Sequence, residues 1–250
     1  EILAAELDDR SLVVGALDNS GSATLAANGA LEIDVTRALT NSADGLIYSR
    51  DAQVNLNAAS LDNTGGAIQA QGDLLLNVGG ALNNQSGTLQ SRSGAVDLIA
   101  ASLDNRQGTL ASLEGWVRTR ISAWLRNGAS GQGGLIQGQH IDLQVAGNLD
   151  NTAGRIHALS GAATLQASSF NNQSGTLHAK GALLLRGGNL NNQGGTLGAA
   201  NIALEQATDA VLNNQQGLIE SRGTLHVQGG SLNNQGGQLR ALGISGTTFF

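Results

Sequence analysis

The chain of 250 residues contains no cysteine, no proline and no methionine, and only 2% of its residues are aromatic. Without cysteine it has neither disulfides nor thiolate metal sites. Proline cannot donate to a sheet ladder, so its absence is expected of a chain in which most residues lie in strands. Because large rings are scarce, a core must be built from Leu, Ile, Val and Ala, which suits a narrow stack of small layers.

Positive charge is also scarce, with 13 Lys and Arg against 19 Asp and Glu and a net charge of −6. A nucleic-acid groove needs clustered basic residues, so nucleic acid is not expected as a partner. No apolar run reaches the roughly 18 residues of a membrane-spanning helix. Charged residues make up only 13% of the chain, but the plentiful, periodic apolar residues argue against disorder.

An eight-residue unit recurs eleven times along the chain. It reads Leu, Asp or Asn, Asn, two small or polar residues, Gly, any residue, then Leu or Ile, as in residues 61–68 and 190–197. Successive units start roughly 20 to 24 residues apart, and a period of this size is typical of a solenoid. The third residue of the unit is Asn every time: Asn19, Asn41, Asn63, Asn84, Asn105, Asn127, Asn151, Asn172, Asn192, Asn214 and Asn234.

Each repeat contains two short apolar alternations. The first precedes the unit, as Leu74, Leu76 and Val78 precede Leu82, and its period of two predicts a strand with these residues facing inward. The second is brief and centres on the last residue of the unit, such as Leu89. Between them lies an Asn-x-x-Gly corner. Its Gly, present in eight of the eleven units, is expected to supply a positive φ or a tight bend.

This pattern predicts an all-β fold, a right-handed parallel β-helix of about eleven coils of 20–24 residues. Right-handedness follows from the strong preference of parallel crossovers. Coils spaced ~4.8 Å apart would give a rod about 50 Å long. We interpret residues 1–250 as a single elongated repeat domain and as a fragment of a longer filament.

The eleven asparagines are predicted to be structural. Stacked along the rod, each side-chain amide can bond to its neighbour or to the corner backbone, whereas a buried amide left unpaired would cost about 1–3 kcal/mol. The position before them is looser, with Asp, as in Asp62, and Asn, as in Asn83, mixed along the chain. A mixture of this kind avoids the repulsion of stacked carboxylates.

Tandem units of the form Leu-Asp/Asn-Asn-x-x-Gly-x-Leu/Ile resemble the filamentous haemagglutinin repeats of large bacterial exoproteins. These include two-partner-secreted adhesins and the filament-forming effectors of contact-dependent growth inhibition. The resemblance covers about residues 10 to 245. It implies a β-helical filament, exported through an outer-membrane partner transporter and displayed on, or secreted from, a Gram-negative bacterium. The chain matches the shaft of such proteins; neither their secretion domain nor a toxin is recognisable in it.

An enzyme is not expected. No nucleophile elbow, phosphate loop or zinc spacing occurs, and the carboxylate cluster of a polysaccharide-cleaving β-helix is missing. No cofactor and no metal are predicted. His157 and His178 stand one repeat apart in the sequence, so stacking should bring them together, although an exposed pair without a metal is the favoured interpretation.

Residues 113–136 form the one irregular coil, with an expanded, glycine-rich corner after Asn127. Both tryptophans lie there. The register of Ile141 predicts that Trp116, Arg118 and Arg120 point outward, while the direction of Trp124 stays open. The candidate ligand-binding residues are Trp116, Arg118, Arg120, Trp124 and Arg126.

Two functions follow from these observations. The first is a structural shaft that supports cell adhesion or presents a contact-dependent inhibition toxin. The alternative is a segment that itself binds a carbohydrate or receptor on a host or neighbouring cell, centred on residues 113–136, because exposed Trp and Arg are common in contact sites. An irregular coil whose tryptophans only cover its edge explains the same residues.

Overall fold

The computed structural model describes residues 9–243 and 248–249, and the regular secondary structure of that part is entirely β-strand. No helix able to cross a membrane is found among the described residues. The strands belong to two sheets that run the length of the rod, one of 19 strands and one of 11.

The larger sheet contains strands from the first alternation of each repeat and from the start of each unit: β1 (Arg10–Val14), β2 (Leu17–Asp18), β4 (Leu31–Thr40), β6 (Val54–Asp62), β8 (Leu74–Val78), β9 (Ala81–Asn83), β11 (Val96–Asp104), β13 (Trp116–Arg126), β15 (His140–Val145), β16 (Asn148–Asp150), β18 (Ala163–Ala167), β19 (Ser169–Asn171), β21 (Ala182–Gly187), β22 (Leu190–Asn191), β24 (Asn201–Gln206), β25 (Val211–Asn213), β27 (Leu225–Gln228), β28 (Ser231–Asn233) and β30 (Thr248–Phe249).

The smaller sheet contains one strand from the end of each unit: β3 (Thr24–Ala27), β5 (Leu46–Ser49), β7 (Ala67–Ala70), β10 (Thr88–Ser91), β12 (Thr109–Ser112), β14 (Leu135–Gly138), β17 (Arg155–Ala158), β20 (Thr176–Ala179), β23 (Thr196–Ala199), β26 (Leu218–Ser221) and β29 (Gln238–Ala241).

Every strand pairs in parallel with its equivalent one coil away. Leu56 of β6, for example, is the register partner of Leu76 in β8, and Ile47 of β5 is the partner of Ile68 in β7. With eleven strands in the smaller sheet, the chain makes about eleven turns. The predicted all-β parallel solenoid is therefore confirmed.

The coils contain one more strand than the two predicted. The first residues of each unit pair with their equivalents, so β9 forms a separate short strand after β8. Gly79 and Gly80 form a bend between these two strands. In four coils the two segments merge into one long strand, as in β4 and β13. The pairing of β4 with β6 and that of β11 with β13 each contain a register shift.

The core is a continuous file of aliphatic side chains. In the interior coils the inward positions of the first alternation are buried as predicted, and Leu74, Leu76 and Val78 are all at most 2% exposed. In β1, at the end of the described rod, the equivalent Leu12 and Val14 are only partly buried. Phe170 takes a place that Leu holds in the neighbouring coils and is the aromatic residue of the described core. Its ring lies against Gly187, where a Cβ would be 3.1 Å from Phe170 Cε2.

Candidate functional site

The eleven repeat asparagines form a single hydrogen-bonded ladder. In each of ten steps the side-chain Nδ2 donates to the Oδ1 of the Asn one coil further along, at 2.7 Å. Each interior amide also donates to corner carbonyls, as Asn63 does to Gly66 O at 3.3 Å and to Thr88 O at 3.2 Å. Ten of the eleven are buried. Their polar groups are used within the rod, which leaves little for a ligand.

The corner glycine closes a tight turn, as predicted, but it does not supply the positive φ. Its N–H closes a four-residue turn on the carbonyl of the ladder Asn, as Gly87 does with Asn84 at 3.1 Å. The positive φ falls one residue earlier, on Ser86 at 55°, as in type II turns. At Gly87 a Cβ would lie 2.1 Å from the carbonyl oxygen of Asn63 in the preceding coil. Glycine is therefore required by close backbone approach.

Where the residue before a ladder Asn is Asp or Asn, its side chain stabilises the start of the same turn. Asp62 Oδ1 accepts from the N–H of Thr64 at 3.1 Å and from its hydroxyl at 2.6 Å. In the described coils no Asp of this row has an Asp as its register partner. Where two Asn are neighbours the amides also link coils, as Asn191 Nδ2 donates to Asn171 Oδ1 at 3.1 Å.

The outward side chains of β13 form the first part of the candidate binding surface. Trp116, Arg118 and Arg120 alternate with buried residues and face solvent. The Trp116 ring stacks on His140, with centroids 4.4 Å apart and planes inclined by 10°. The Arg118 guanidinium lies 5.0 Å from the Trp116 ring centroid and 3.2 Å from the Asp97 carboxylate. Arg118 is thus held in place, while Trp116 retains 38% exposure.

A register shift determines the direction of Trp124. Between β11 and β13 the pairing passes from Ala100 with Ile121 to Ser102 with Trp124, so β13 contains one extra residue. Trp124 consequently lies half-buried on the outer side, with the Arg126 guanidinium 4.5 Å from its ring centroid. An arginine guanidinium therefore lies against each tryptophan ring, and the two tryptophans lie near opposite ends of β13.

Three open concavities surround β13. The largest, about 470 Å³, spans five coils and is bordered by Asn77, Ile99, Arg120, Gln144 and Gln166. A second concavity of about 300 Å³ shares Arg120 and reaches Arg118 and Asp97, and a third of about 330 Å³ lies beside Trp124 and Arg126.

Arg120 is the charged group shared by the first two concavities. Its register partners are Ile99 and Gln144, neither of them acidic, and it forms no ion pair within the described part of the chain. Small side chains such as Ala101 and Ser122 line the adjoining wall. The surface can offer guanidinium donors, amides and an aromatic ring face.

The expanded corner that follows β13 leaves the ladder intact. Asn127 still donates to Asn151 Oδ1 at 2.7 Å and to Gly134 O at 3.1 Å. Its turn is closed by Gly134 N–H, seven residues on, instead of three. The four additional residues are accommodated in the corner, and the next strand begins at Leu135.

The sequence did not identify His140, Asp97 and Ile99 as parts of this surface. The register that matches Val117 with Ile141 also pairs Trp116 with His140, across the expanded corner that lies between them, so the sequence contained the signal for this stack. By contrast, the expected proximity of His157 and His178 is confirmed, since they are register partners.

A family model described as haemagglutinin repeat matches residues 3–92, 83–115, 125–211 and 206–248. No curated protein matches the chain significantly, and no solved structure does. The gap between the second and third matched segments, residues 116–124, contains Trp116, Arg118, Arg120 and Trp124. Four of the five candidate binding residues therefore lie between two matched segments, and Arg126 lies within the third segment.

Proposed function

Because the chain belongs to the haemagglutinin repeat family, we propose that it is a length of shaft in a surface-displayed or secreted bacterial exoprotein. Membership of this family implies an extracellular or surface location and favours a non-enzymatic role. In this proposal the shaft holds an adhesive region or a contact-dependent inhibition toxin at a distance from the cell. The observation that carries it is the ladder of ten uniform 2.7 Å bonds along a continuous aliphatic core.

A rod of this construction is suited to holding two ends apart. Each coil is bonded to the next through two sheets and through the ladder, so bending requires many parallel hydrogen bonds to distort together. In a solenoid each repeat contacts only its neighbours, and folding can spread from one coil to the next. A chain without cysteine and with uniform coils suits export through an outer-membrane partner transporter of a Gram-negative cell, followed by folding outside.

Matched deletions in the parent exoprotein test the shaft. Removing residues 190–211 joins Asn189 to Leu212 and takes out one whole coil. Removing residues 103–124 joins Ser102 to Leu125 and takes out a segment of the same length, which includes Trp116 and Arg120. If the segment is a shaft, both deletions should leave adhesion or growth inhibition intact. Because both shorten the rod by the same number of residues, any small loss of activity should be equal in the two.

A second candidate function is direct binding by the outer surface of β13. The specific observation in its favour is that Arg120, which has no ion pair in the described structure, shares a concavity with Arg118, whose guanidinium lies against the Trp116 ring. An aromatic face and fixed donors are what a sugar ring or a receptor side chain contacts. In the deletion experiment, loss of adhesion only on removal of residues 103–124 would support this function over a pure shaft.

Binding to a glycan array and to whole cells examines this candidate directly. A Trp116→Ala, Arg118→Ala double variant and Arg120→Gln should each lose binding. Arg186→Gln is the matched control, because Arg186 occupies the same outward row three coils away and pairs with Glu205 at 2.6 Å. If the unmodified chain and all the variants bind equally, or if none of them binds, the shaft remains the proposed function.

A further inference from the structure

The outer face of the smaller sheet brings two imidazoles together, on the side of the rod that the candidate surface does not use. His157 of β17 and His178 of β20 are register partners. Their ring centroids are 6.3 Å apart, and the ring planes are inclined by 78°. Because both side chains are attached to rigid neighbouring strands, the backbone fixes the distance between their Cα atoms. The distance between the two rings changes only through the side-chain torsions.

His157 offers a ring nitrogen as a metal ligand. It is half-buried, and its Nε2 has no hydrogen-bond partner among the described residues. Burial, followed by the nearby His178 and Arg155, lowers the pKa of His157 below its ordinary value. A ring nitrogen that the protein leaves without a hydrogen bond can bind a metal, and an imidazole nitrogen is the commonest metal ligand in proteins.

His178 has room to turn towards its neighbour. It is exposed, and the next position in its row is Gly198. A Cβ on that glycine would lie 3.2 Å from His178 Cδ2, so a larger residue would restrict the ring. Rotation about its side-chain torsions can move a nitrogen of His178 closer to His157 without moving the backbone.

We propose that His157 and His178 form a two-imidazole site for a borderline transition-metal dication such as Zn²⁺, Ni²⁺ or Cu²⁺. Imidazole suits these ions, and each ring would place one nitrogen about 2.0–2.1 Å from a zinc ion. Among the described residues no group of three or more His, Cys, Asp or Glu is placed to hold a metal, so water completes the coordination. Mg²⁺ and Ca²⁺ require oxygen ligands and are not expected to bind.

The proposal differs from the sequence-based expectation that this pair has no metal role, and it does not depend on the proposed shaft function. The positive charge near the two histidines limits the affinity of the site for a cation. Arg155, two residues before His157 on the same strand, is one of the groups that lower the pKa of this histidine. The same positive charge opposes a bound cation. Affinity should accordingly rise when Arg155 is replaced by Thr, the residue at the equivalent position 176.

Calorimetric titration of the purified chain with Zn²⁺, Cu²⁺ and Mg²⁺ tests the site. We expect one Zn²⁺ or Cu²⁺ per chain, no Mg²⁺, and at least a tenfold loss of affinity in His157→Gln and in His178→Gln. Gln fits this row, since Gln137 precedes His157 in it. Arg155→Thr should bind several-fold more tightly.

His226→Gln is the matched control, because His226 lies on the other sheet. It should bind as the unmodified chain does. The proposal is overturned if the unmodified chain binds neither Zn²⁺ nor Cu²⁺, or if His157→Gln and His178→Gln bind as tightly as His226→Gln. Thermal melting without metal shows whether each variant is folded.

Discussion

Gly195 faces the main-chain oxygen of Asn172 so closely that a Cβ at Gly195 would lie 2.1 Å from that oxygen. The same approach recurs between the glycine of each regular corner and the ladder asparagine one coil earlier, as between Gly217 and Asn192 at 2.2 Å. Backbone atoms cannot give way as a flexible side chain does, so the corner sets a minimum spacing for successive coils.

Gly195→Ala should consequently be among the most damaging single substitutions in the rod. Its methyl group would push apart two coils that are joined by the ladder and by both sheets, and we expect a loss of more than about 3 kcal/mol in the free energy of unfolding, at or above the upper range for overpacking. Chemical denaturation monitored by circular dichroism measures it.

The neighbouring Gly194→Ala is the control. Gly194 has a φ of 60° but no backbone atom near its missing Cβ, the nearest atom within 4 Å being Ser174 Oγ at 3.7 Å. Ala153 adopts the same conformation in another corner. Only the left-handed conformation is penalised, at about 1–2 kcal/mol. Equal losses at positions 194 and 195 would contradict the close-approach explanation.

Asn172→Leu should destabilise the coils on both sides of it. The substitution removes the donor to Asn192 Oδ1 and the acceptor for Asn151 Nδ2. Each buried polar group left without a partner costs about 1–3 kcal/mol. Gln173→Leu, one residue further on and exposed, should be nearly neutral. Hydrogen exchange would locate the loss of protection in the coils that contain Asn151 and Asn192. Unchanged protection there would show that the ladder does not stabilise the rod.

Phe170 should tolerate leucine but not alanine. Leu149 and Leu190 occupy the equivalent positions one coil away on either side, so Phe170→Leu restores the common pattern and should cost less than about 1.5 kcal/mol. Phe170→Ala leaves a cavity and should cost about 3–5 kcal/mol. Thermal melts of the two variants separate these outcomes. A Leu variant as unstable as the Ala variant would mean that the aromatic ring itself, packed on Gly187, is needed.

The stability of the chain should fall as the pH drops below about 6.5, in part because of His157. The ordinary pKa of histidine is about 6.5, and in the folded chain the pKa of His157 is lowered, chiefly by burial. The unfolded state therefore takes up the proton more readily, and acid favours unfolding. Melting temperatures of His157→Gln between pH 7.5 and 5 should decline less than those of the unmodified chain. A steeper decline in His157→Gln would refute the assignment.

The Arg118–Asp97 ion pair should contribute little to stability. Both side chains are more than 40% exposed at 3.2 Å separation, and exposed pairs contribute about 0–1 kcal/mol. Arg118→Ala should therefore melt within a degree or two of the unmodified chain, and a large drop would contradict this. A melt of the Trp116→Ala, Arg118→Ala variant itself shows whether any binding defect of that variant is a folding defect.

The sequence was most informative where one residue type has one physical role. The alternation of Leu74, Leu76 and Val78 has a single interpretation, and so does an Asn that recurs in every coil. The corner was harder, because glycine serves both positive φ and close approach, and only the position of the Asn63 carbonyl distinguishes the two at Gly87. Trp124 could not be oriented, because one extra residue in β13 decides which way it faces.

The ladder has a direction as well as a length. Every Nδ2 points to the oxygen of the following coil, from Asn19 to Asn234, so the amide dipoles add head to tail along the axis instead of cancelling. The rod is polar in the sense in which an actin filament or a helix is polar, with unlike ends. A further coil of the same kind can extend the ladder only in the same orientation. Two like ends would place one Oδ1 acceptor against another, or one Nδ2 donor against another.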